Sequence, residues 1–364
     1  MKRFIFIILI FIPASVFSEE KLNVGVVTVL SGDLSVLGDN AQKTYEVYRD
    51  LYPDPRVKVQ FEDAMVSSTD GYRAYQKLIN YENVDIIIAV CTSNATMAAL
   101  SLFNGKKVPV ISVSTGGENI DGASEFLFRI GNSDILNGIQ QSEHFLSKNI
   151  TKLSVITEQT EYTEDITEHF LKHFKANGGN VLTYDEFLPG AVDFKSIILK
   201  MIRKNPQAVF IPTQTGTALG LFLRQWSQLF PSSNAEIHTT FVAGPNMHAH
   251  KIAGPLIVGV YYMEPLYSHE NARRKRLFEA FKERFGHEPV VGFHSAGFAD
   301  SLDLISMYLD THDSFDEKNF RDFLHGVNDY DGMLGKIDLD EQGNSSIGFR
   351  IKRIDQSLIE EGKN

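Results

Sequence analysis

Val84-Asp85-Ile86-Ile87-Ile88-Ala89-Val90-Cys91-Thr92-Ser93-Asn94-Ala95-Thr96, followed after a short connection by Val108-Pro109-Val110-Ile111-Ser112-Val113-Ser114-Thr115-Gly116-Gly117, decides how the rest of the chain is read. Each segment opens as an apolar run of Ile and Val without polar alternation, the pattern of a strand covered on both faces of a parallel sheet. Each ends in a cluster of hydroxyl and small residues. Between them, Met97-Ala98-Ala99-Leu100-Ser101-Leu102-Phe103 predicts the helical crossover of a βαβ unit. In such sheets ligands gather at the carboxyl ends of the strands, where both hydroxyl clusters fall.

Ser93 stands at the expected helix start, where free backbone N–H groups and the positive dipole end favour a carboxylate or carbonyl oxygen. A plain helix cap, the commoner role for such a residue, also fits Ser93 or Thr92. Thr115-Gly116-Gly117 supplies a turn whose amides can be approached closely, since Gly carries no Cβ.

Working outward, residues 22–30 form a first strand that runs into the turn 31–38 and a helix over 39–52; a strand at 57–62 and a helix at 68–79 follow. Asp63 sits where it either caps a loop or meets a ligand. After a strand at 125–130 the alternation starts afresh: helices at 135–146, 161–175, 193–203 and 217–230, and strands at 152–157, 181–188, 208–211 and 237–243. Two α/β arrays of the same rhythm imply two lobes with a cleft between them.

The chain has 364 residues, enough for two domains that each bury a core, and its 43% hydrophobic and 22% charged composition is that of a globular protein. Lys2-Arg3, the apolar run 4–12 and Val16-Phe17-Ser18 form an n-region, an h-region and small cleavage-site residues, so residues 1–18 read as a signal peptide. That run is too short to span a bilayer. No Cys follows the cleavage point, so no lipid anchor is expected. The net charge of −11, more negative once Lys2 and Arg3 are removed, makes nucleic acid a poor partner. Cys91, the single cysteine, ends a buried strand and reads as a small core residue.

The segment 86–99 with 108–117 resembles the first-lobe binding segment of type I periplasmic solute-binding proteins, in the branch of the leucine/isoleucine/valine receptors. In that family a Ser after a buried strand and a following P-x-I-S-x-S/G-x-T turn touch the ligand; Ser93 matches the first, and Thr115 and Gly116 occupy the second. The turn Ser31–Gly38 is similar to the family's opening signature, with Leu37 in a ligand-facing place. Phe128-Arg129-Ile130 resembles the point where the chain first leaves lobe one, 257–265 the strand that returns to it, and 332–343 the third crossing. The resemblance implies an α/β fold of two doubly wound, Rossmann-like lobes joined by a three-strand hinge, with 19–131 and 264–331 in lobe one and 132–263 and 332–364 in lobe two.

In the second lobe the family places a ligand-contacting Tyr-Gly after the first strand; Tyr162 fits, with Thr163 in place of the Gly. A half-buried packing role fits Tyr162 too. Gln214 and Thr215 follow another strand end and would line the same wall. Asn246 stands in the loop where the amino-acid receptors offer a carboxylate to the ligand's ammonium group. A hydrogen bond to a charged group is worth about 1.5–3 kcal/mol against about 1 for a neutral one, so an amide there weakens ammonium binding by about tenfold or more. Glu158, Glu161 or Asp165 would compensate. The ligand class therefore spans amino acids, amides, urea-like compounds and carboxylic acids.

His169 with His173, and His248 with His250, are spaced for metal ligation but lack a third ligand at a telling distance, and surface histidines explain them. There is no G-x-S-x-G turn, phosphate loop or G-x-G-x-x-G after the first strand. No metal, cofactor or catalysis is expected. The resemblance implies a monomeric periplasmic binding protein that hands a small molecule to an ABC permease of the branched-chain amino-acid type. A sensor module signalling to a membrane kinase or chemoreceptor, and a secreted enzyme on the same lobes, are the other two classes.

Overall fold

The computed structural model describes residues 21–345 and 347–356, so the expected signal peptide lies outside the described residues. Its first sheet is wholly parallel: β1 (Leu22–Thr28), β2 (Val57–Asp63), β3 (Ile86–Val90), β4 (Val110–Ser112) and β5 (Leu127–Arg129), in the order β2-β1-β3-β4-β5. Every residue of β3 is buried, and the two-residue period of a strand shares them between two cores. Ile86, Ile88 and Val90 face one side with Val24, Val26 and Ile111, whereas Ile87 and Ala89 face the other with Val27 and Val110. β2, at the edge, keeps its residues partly exposed.

Helix α1 (Ser35–Leu51) starts earlier than its apolar pattern suggests, and α2 (Ser68–Asn80) lies where expected. The single helix expected over 97–103 is instead two, α3 (Ser93–Ala98) and α4 (Leu100–Lys106), which meet at Ala99 with φ −93° and ψ 0°. Tyr75, Leu78, Ala95 and Phe103 carry α2, α3 and α4 onto the sheet. Cys91 is buried among them, within reach of the Thr96 and Tyr75 hydroxyls, and burial pushes its thiol up to about 11. A native sample should therefore resist a thiol reagent at pH 8 and react only after denaturation; fast native labelling would contradict this packing.

The second array runs α5 (Asp134–Ser147), β6 (Lys152–Glu158), α6 (Glu161–Ala176), β7 (Asn180–Phe187), α7 (Lys195–Ile202), β8 (Ala208–Ile211), α8 (Gly216–Leu229), β9 (Glu236–Thr240), α9 (Met247–Ala253) and β10 (Tyr261–Pro265). Phe145, Phe170, Phe174 and Phe210 pack ring on ring at its centre, with centroids 4.7–6.4 Å apart. Helices α5 and α6 approach closely because residue 138 is Gly: a Cβ there would lie 2.8 Å from Phe170 N. The stretch 257–265 does not return to the first half. β10 pairs in parallel with β9 and so belongs to the second sheet.

After Pro265 the chain does return, as α10 (Ala272–Phe285), α11 (Gly292–Thr311), α12 (Glu317–His325) and the hairpin β11 (Tyr330–Gly332) with β12 (Gly335–Ile337). Leu277, Phe281, Phe298, Leu304 and Phe320 cover the open face of the first sheet beside Val47 and Tyr48 of α1. α11 is buried nearly all round from Gly292 to Ile305, since it lies against α1, β3 and α12. Met333, Leu334, Ile337 and Ile347 pack in the first core. The packing thus keeps the chain from 332 to 347 with the first lobe, and only β13 (Phe349–Arg353), antiparallel to β10, completes the second sheet, in the order β13-β10-β9-β8-β6-β7.

Three segments cross side by side between the lobes. Arg129 N–H donates to Gly343 O at 2.9 Å, and Ser345 N–H to Arg129 O at 2.7 Å. Asn132 bridges to Ile347, and Leu266 N–H donates to Gly348 O at 2.8 Å. This short ladder is the three-strand hinge of the fold.

Candidate functional site

The carboxyl ends of both sheets point into one cleft, and the lobes are shut on each other across it. Asp33, just after β1, accepts Thr217 N–H through Oδ2 at 3.0 Å and the Asn246 side-chain amide through its carbonyl at 3.2 Å. Glu118 N–H donates to Asp165 Oδ2 at 2.7 Å, and Glu118 Oε2 meets His169 Nε2 at 3.0 Å. Deeper in, the Phe241 ring of the second lobe stands nearly perpendicular to Phe293 of α11, centroids 6.4 Å apart.

Around this closure the expected residues divide by what their polar atoms do. Thr92, not Ser93, caps α3, its hydroxyl accepting Ala95 N–H at 3.3 Å. Ser93 Oγ is left buried with no partner. α3 packs against α6 of the opposite lobe, where Tyr162 Oη is also buried and unpartnered. The hydroxyl of Thr240, next to Tyr162, already donates to Thr213 O at 2.6 Å.

Thr115 turns inward instead: its hydroxyl meets that of Thr96 at 3.0 Å, and Thr96 in turn meets Tyr75 Oη at 3.1 Å. Gly116 backs onto the hinge, since a Cβ there would sit 2.5 Å from the Asp134 carboxylate. Asn246 uses both ends of its amide, Oδ1 capping α9 by accepting His248 N–H at 2.8 Å and Nδ2 reaching Asp33. Gln214 lines the β8 end with its N–H on Glu158 Oε2 at 2.7 Å. Leu37 packs with Leu34, Val29 and Val291 beside Val242 of the other lobe.

Two further residues face the same closure. Phe241 lies edge-on to Tyr162 at 6.4 Å and 5.7 Å from the His294 ring. His294, in the first turn of α11, is 2% exposed and neither ring nitrogen has a partner. Sequence reasoning passed over it because Phe293-His294-Ser295 reads as an ordinary helix start. The available signal was one imidazole in an otherwise small and apolar run.

Burial raises the Tyr162 hydroxyl well above its usual range, so it stays a hydrogen-bond donor. Burial pushes His294 down to about 4, so its ring is neutral and offers one donor and one acceptor. The sign of the resulting pH effect follows. An imidazole freed by cleft opening titrates near 6.5, so as pH falls from there towards 4 the open form binds a proton that the closed form refuses. Ligand affinity should fall by up to about tenfold per pH unit over that window. Burial raises the rim carboxyls of Glu161 and Asp165, which act in the opposite direction. Calorimetric titration of wild type against His294→Gln isolates the ring; identical pH slopes would contradict the effect.

The carboxylates that were to compensate for Asn246 are occupied. Glu158 accepts the Thr213 hydroxyl at 2.6 Å together with the 214 and 215 amides, while Glu161 and Asp165 reach lobe one at the rim. Asp33 Oδ1 is buried without a partner. Among the described residues no group of three or more His, Cys, Asp or Glu is placed to hold a metal. His173 meets the Ser142 hydroxyl, and His250, expected at the surface, is buried with Nε2 on Gly244 O at 3.1 Å. No helix among the described residues is long and apolar enough to cross a membrane.

Two doubly wound lobes, three crossings and a closure lined with unpaired hydroxyl and imidazole groups define a bilobal solute-binding architecture. A family model described as periplasmic binding protein matches residues 21–348, and the chain belongs to that family. It is similar to the Leu/Ile/Val/Thr-binding protein of Salmonella typhimurium, 21% identical over 337 residues that cover 89% of this chain and 88% of that one. A leucine-binding protein from Thermotoga maritima shares the fold with a TM-score of 0.83 at 20% identity, covering 92% of this chain and 96% of its own. An ABC-transporter solute-binding protein from Rhodopseudomonas palustris, in complex with 3,4-dihydroxybenzoic acid, does so with a TM-score of 0.77 at 21% identity, covering 92% and 93%.

Proposed function

We propose that this chain is a periplasmic solute-binding protein that captures an amino acid, or an amino-acid-like amide or carboxylate, by hinge closure and delivers it to an ABC permease. One observation carries the reading: Ser93 Oγ, Tyr162 Oη and both His294 nitrogens are buried without partners where the two lobes meet. Buried polar groups are normally paired, and each unpaired one costs about 1–3 kcal/mol, so a cluster at a closing cleft calls for a polar ligand. Hydroxyls and a neutral ring suit a carboxylate or carbonyl end. Phe241 offers a ring edge to the body of the ligand, and Asp33 Oδ1 is the acceptor for an amine or amide N–H. The relatives' spread from leucine to a dihydroxybenzoate fits one cleft geometry adapted to different bodies.

One chain builds the whole cleft, which favours a monomer with no catalytic step. Closure is a shift between two states, and the permease would recognise the closed one. Mass spectrometry of ligand released from natively purified protein, followed by thermal shifts with leucine, isovaleramide, benzoate and 4-hydroxybenzoate, tests the proposal. An intact small carboxylate or amide that raises the melting temperature supports it; a chemically altered product would point to an enzyme instead.

A further inference from the structure

Behind the hinge, on the side of Ser133 and Ser345, lies a cavity of about 370 Å³ whose walls come from the end of β5, the first turns of α5 and the third crossing. That volume is at the small end of the range for ligand pockets. Ile135, Ile139 and Leu339 give it an apolar wall. Two of its polar lining residues are more than nine-tenths buried and hold a donor with no partner: Nε of Arg129, 3% exposed, and Nδ2 of Asn344, 6% exposed. Nη1 of the same guanidinium is used, 2.7 Å from Asp121 and 3.4 Å from Gly116 O.

The charge around these donors selects the ligand. Arg129 is the one cation among the lining residues, while Asp340 lines the same cavity and acts on Asp121 from close by. An added anion would meet a surplus of negative charge; an uncharged oxygen acceptor would satisfy both donors without it. We infer that this hinge cavity is a second ligand site, distinct from the cleft, which takes a small uncharged compound bearing a carbonyl oxygen on an aliphatic or ring body, such as a lactam, lactone or simple amide.

Arg129 and Asn344 are also paired backbone to backbone in the hinge ladder, and α5 is the first element of the second lobe. A compound held between them touches both sides of the hinge, so its binding is coupled to closure. This coupling rests on the cleft reading; the site itself does not.

The test uses δ-valerolactam and isobutyramide, with isovalerate as the charged counterpart, added to the full mature chain. Wild type is compared with Ile139→Trp, a half-buried position where the larger ring fills the cavity. Nitrogen-correlated NMR reads the Arg129 Nε–H and Asn344 side-chain amide signals directly. Both signals should shift with lactam at millimolar concentration, at least tenfold more lactam should be needed in Ile139→Trp at an unchanged melting temperature, and isovalerate should shift neither. Asn344→Ala, which removes the free donor, should weaken lactam binding about fivefold. No shift with either uncharged probe, equal binding in Ile139→Trp, or preference for isovalerate would overturn the site. If lactam binds here while no small carboxylate or amide stabilises the cleft, the cleft reading fails and the hinge site stands.

Discussion

Ser93→Ala combined with Tyr162→Phe should weaken binding of the ligand recovered from native protein by about 100-fold, while the ligand-free protein melts at or above the wild-type temperature. Each hydroxyl contributes about 0.5–1.5 kcal/mol with a neutral partner and about 1.5–3 kcal/mol with a charged one, and 1.4 kcal/mol is a factor of ten. The stability half of the result has a separate cause. Neither hydroxyl has a partner in the closed protein, so removing them relieves a desolvation cost rather than breaking a bond. A residue that serves only packing would show the reverse, with stability lost and affinity kept. Titration calorimetry and a melting curve on the same preparation decide between the two, and an affinity within twofold of wild type would remove Ser93 and Tyr162 from the cleft's chemistry.

Gly131→Ala should destabilise the protein by about 3 kcal/mol or more, at the upper end of overpacking effects. Gly131 lies in the first crossing, where a Cβ would overlap the Val113 carbonyl oxygen and stand 2.7 Å from its carbon. Both atoms are backbone. They can yield only if the turn after β4 moves, and Ser345 Oγ holds Gly131 O from the third crossing at 3.0 Å. Gly105→Ala is the control: it lies in α4 with nothing within 4 Å of its would-be Cβ. Alanine there should raise stability by about 0.5–1 kcal/mol through helix propensity. Scanning calorimetry of both variants checks the contrast; a Gly131→Ala protein as stable as wild type would mean that the crossings are looser than this packing.

What could be read from the sequence was what depends on near neighbours. The Ile and Val runs at 86–90 and 110–113 announce strands buried on both faces, and Ser93 and Tyr162 stand out as candidates because each lies shortly after a buried strand. Partners far along the chain could not be read. Thr115 looked like Ser93 on paper, but a hydroxyl chain through Thr96 to Tyr75 draws it inward. Asn246 is a candidate through its place in the family's ligand-contacting loop, and its hold on Asp33 and the start of α9 depends on partners far along the chain or on the cap geometry. Sheet ownership has the same character. Nothing local to Tyr261–Pro265 distinguishes pairing with β9 from a return to the first sheet. The handover near 345–349 leaves no composition signal, because it is made by a backbone bond to Arg129 and a single hydroxyl bond from Ser345 to Gly131 O.

The late return of α10, α11 and α12 bears on how the chain is made. Strands β1 to β5 emerge from the ribosome early, yet one face of their sheet is covered only in part, by α1, until residues past 320 are synthesised, and the second sheet lacks β13 until residue 353. A nascent chain of roughly two thirds length therefore covers Val24, Val26, Ile86, Ile88 and Ile111 with α1 but still lacks α10, α11 and α12 over them. Such a chain is exposed to aggregation, and chaperones guard against that until synthesis ends. Residues 19–265 expressed alone should be cut by protease throughout β1 to β5, and a protease-resistant fragment of that length would contradict the dependence.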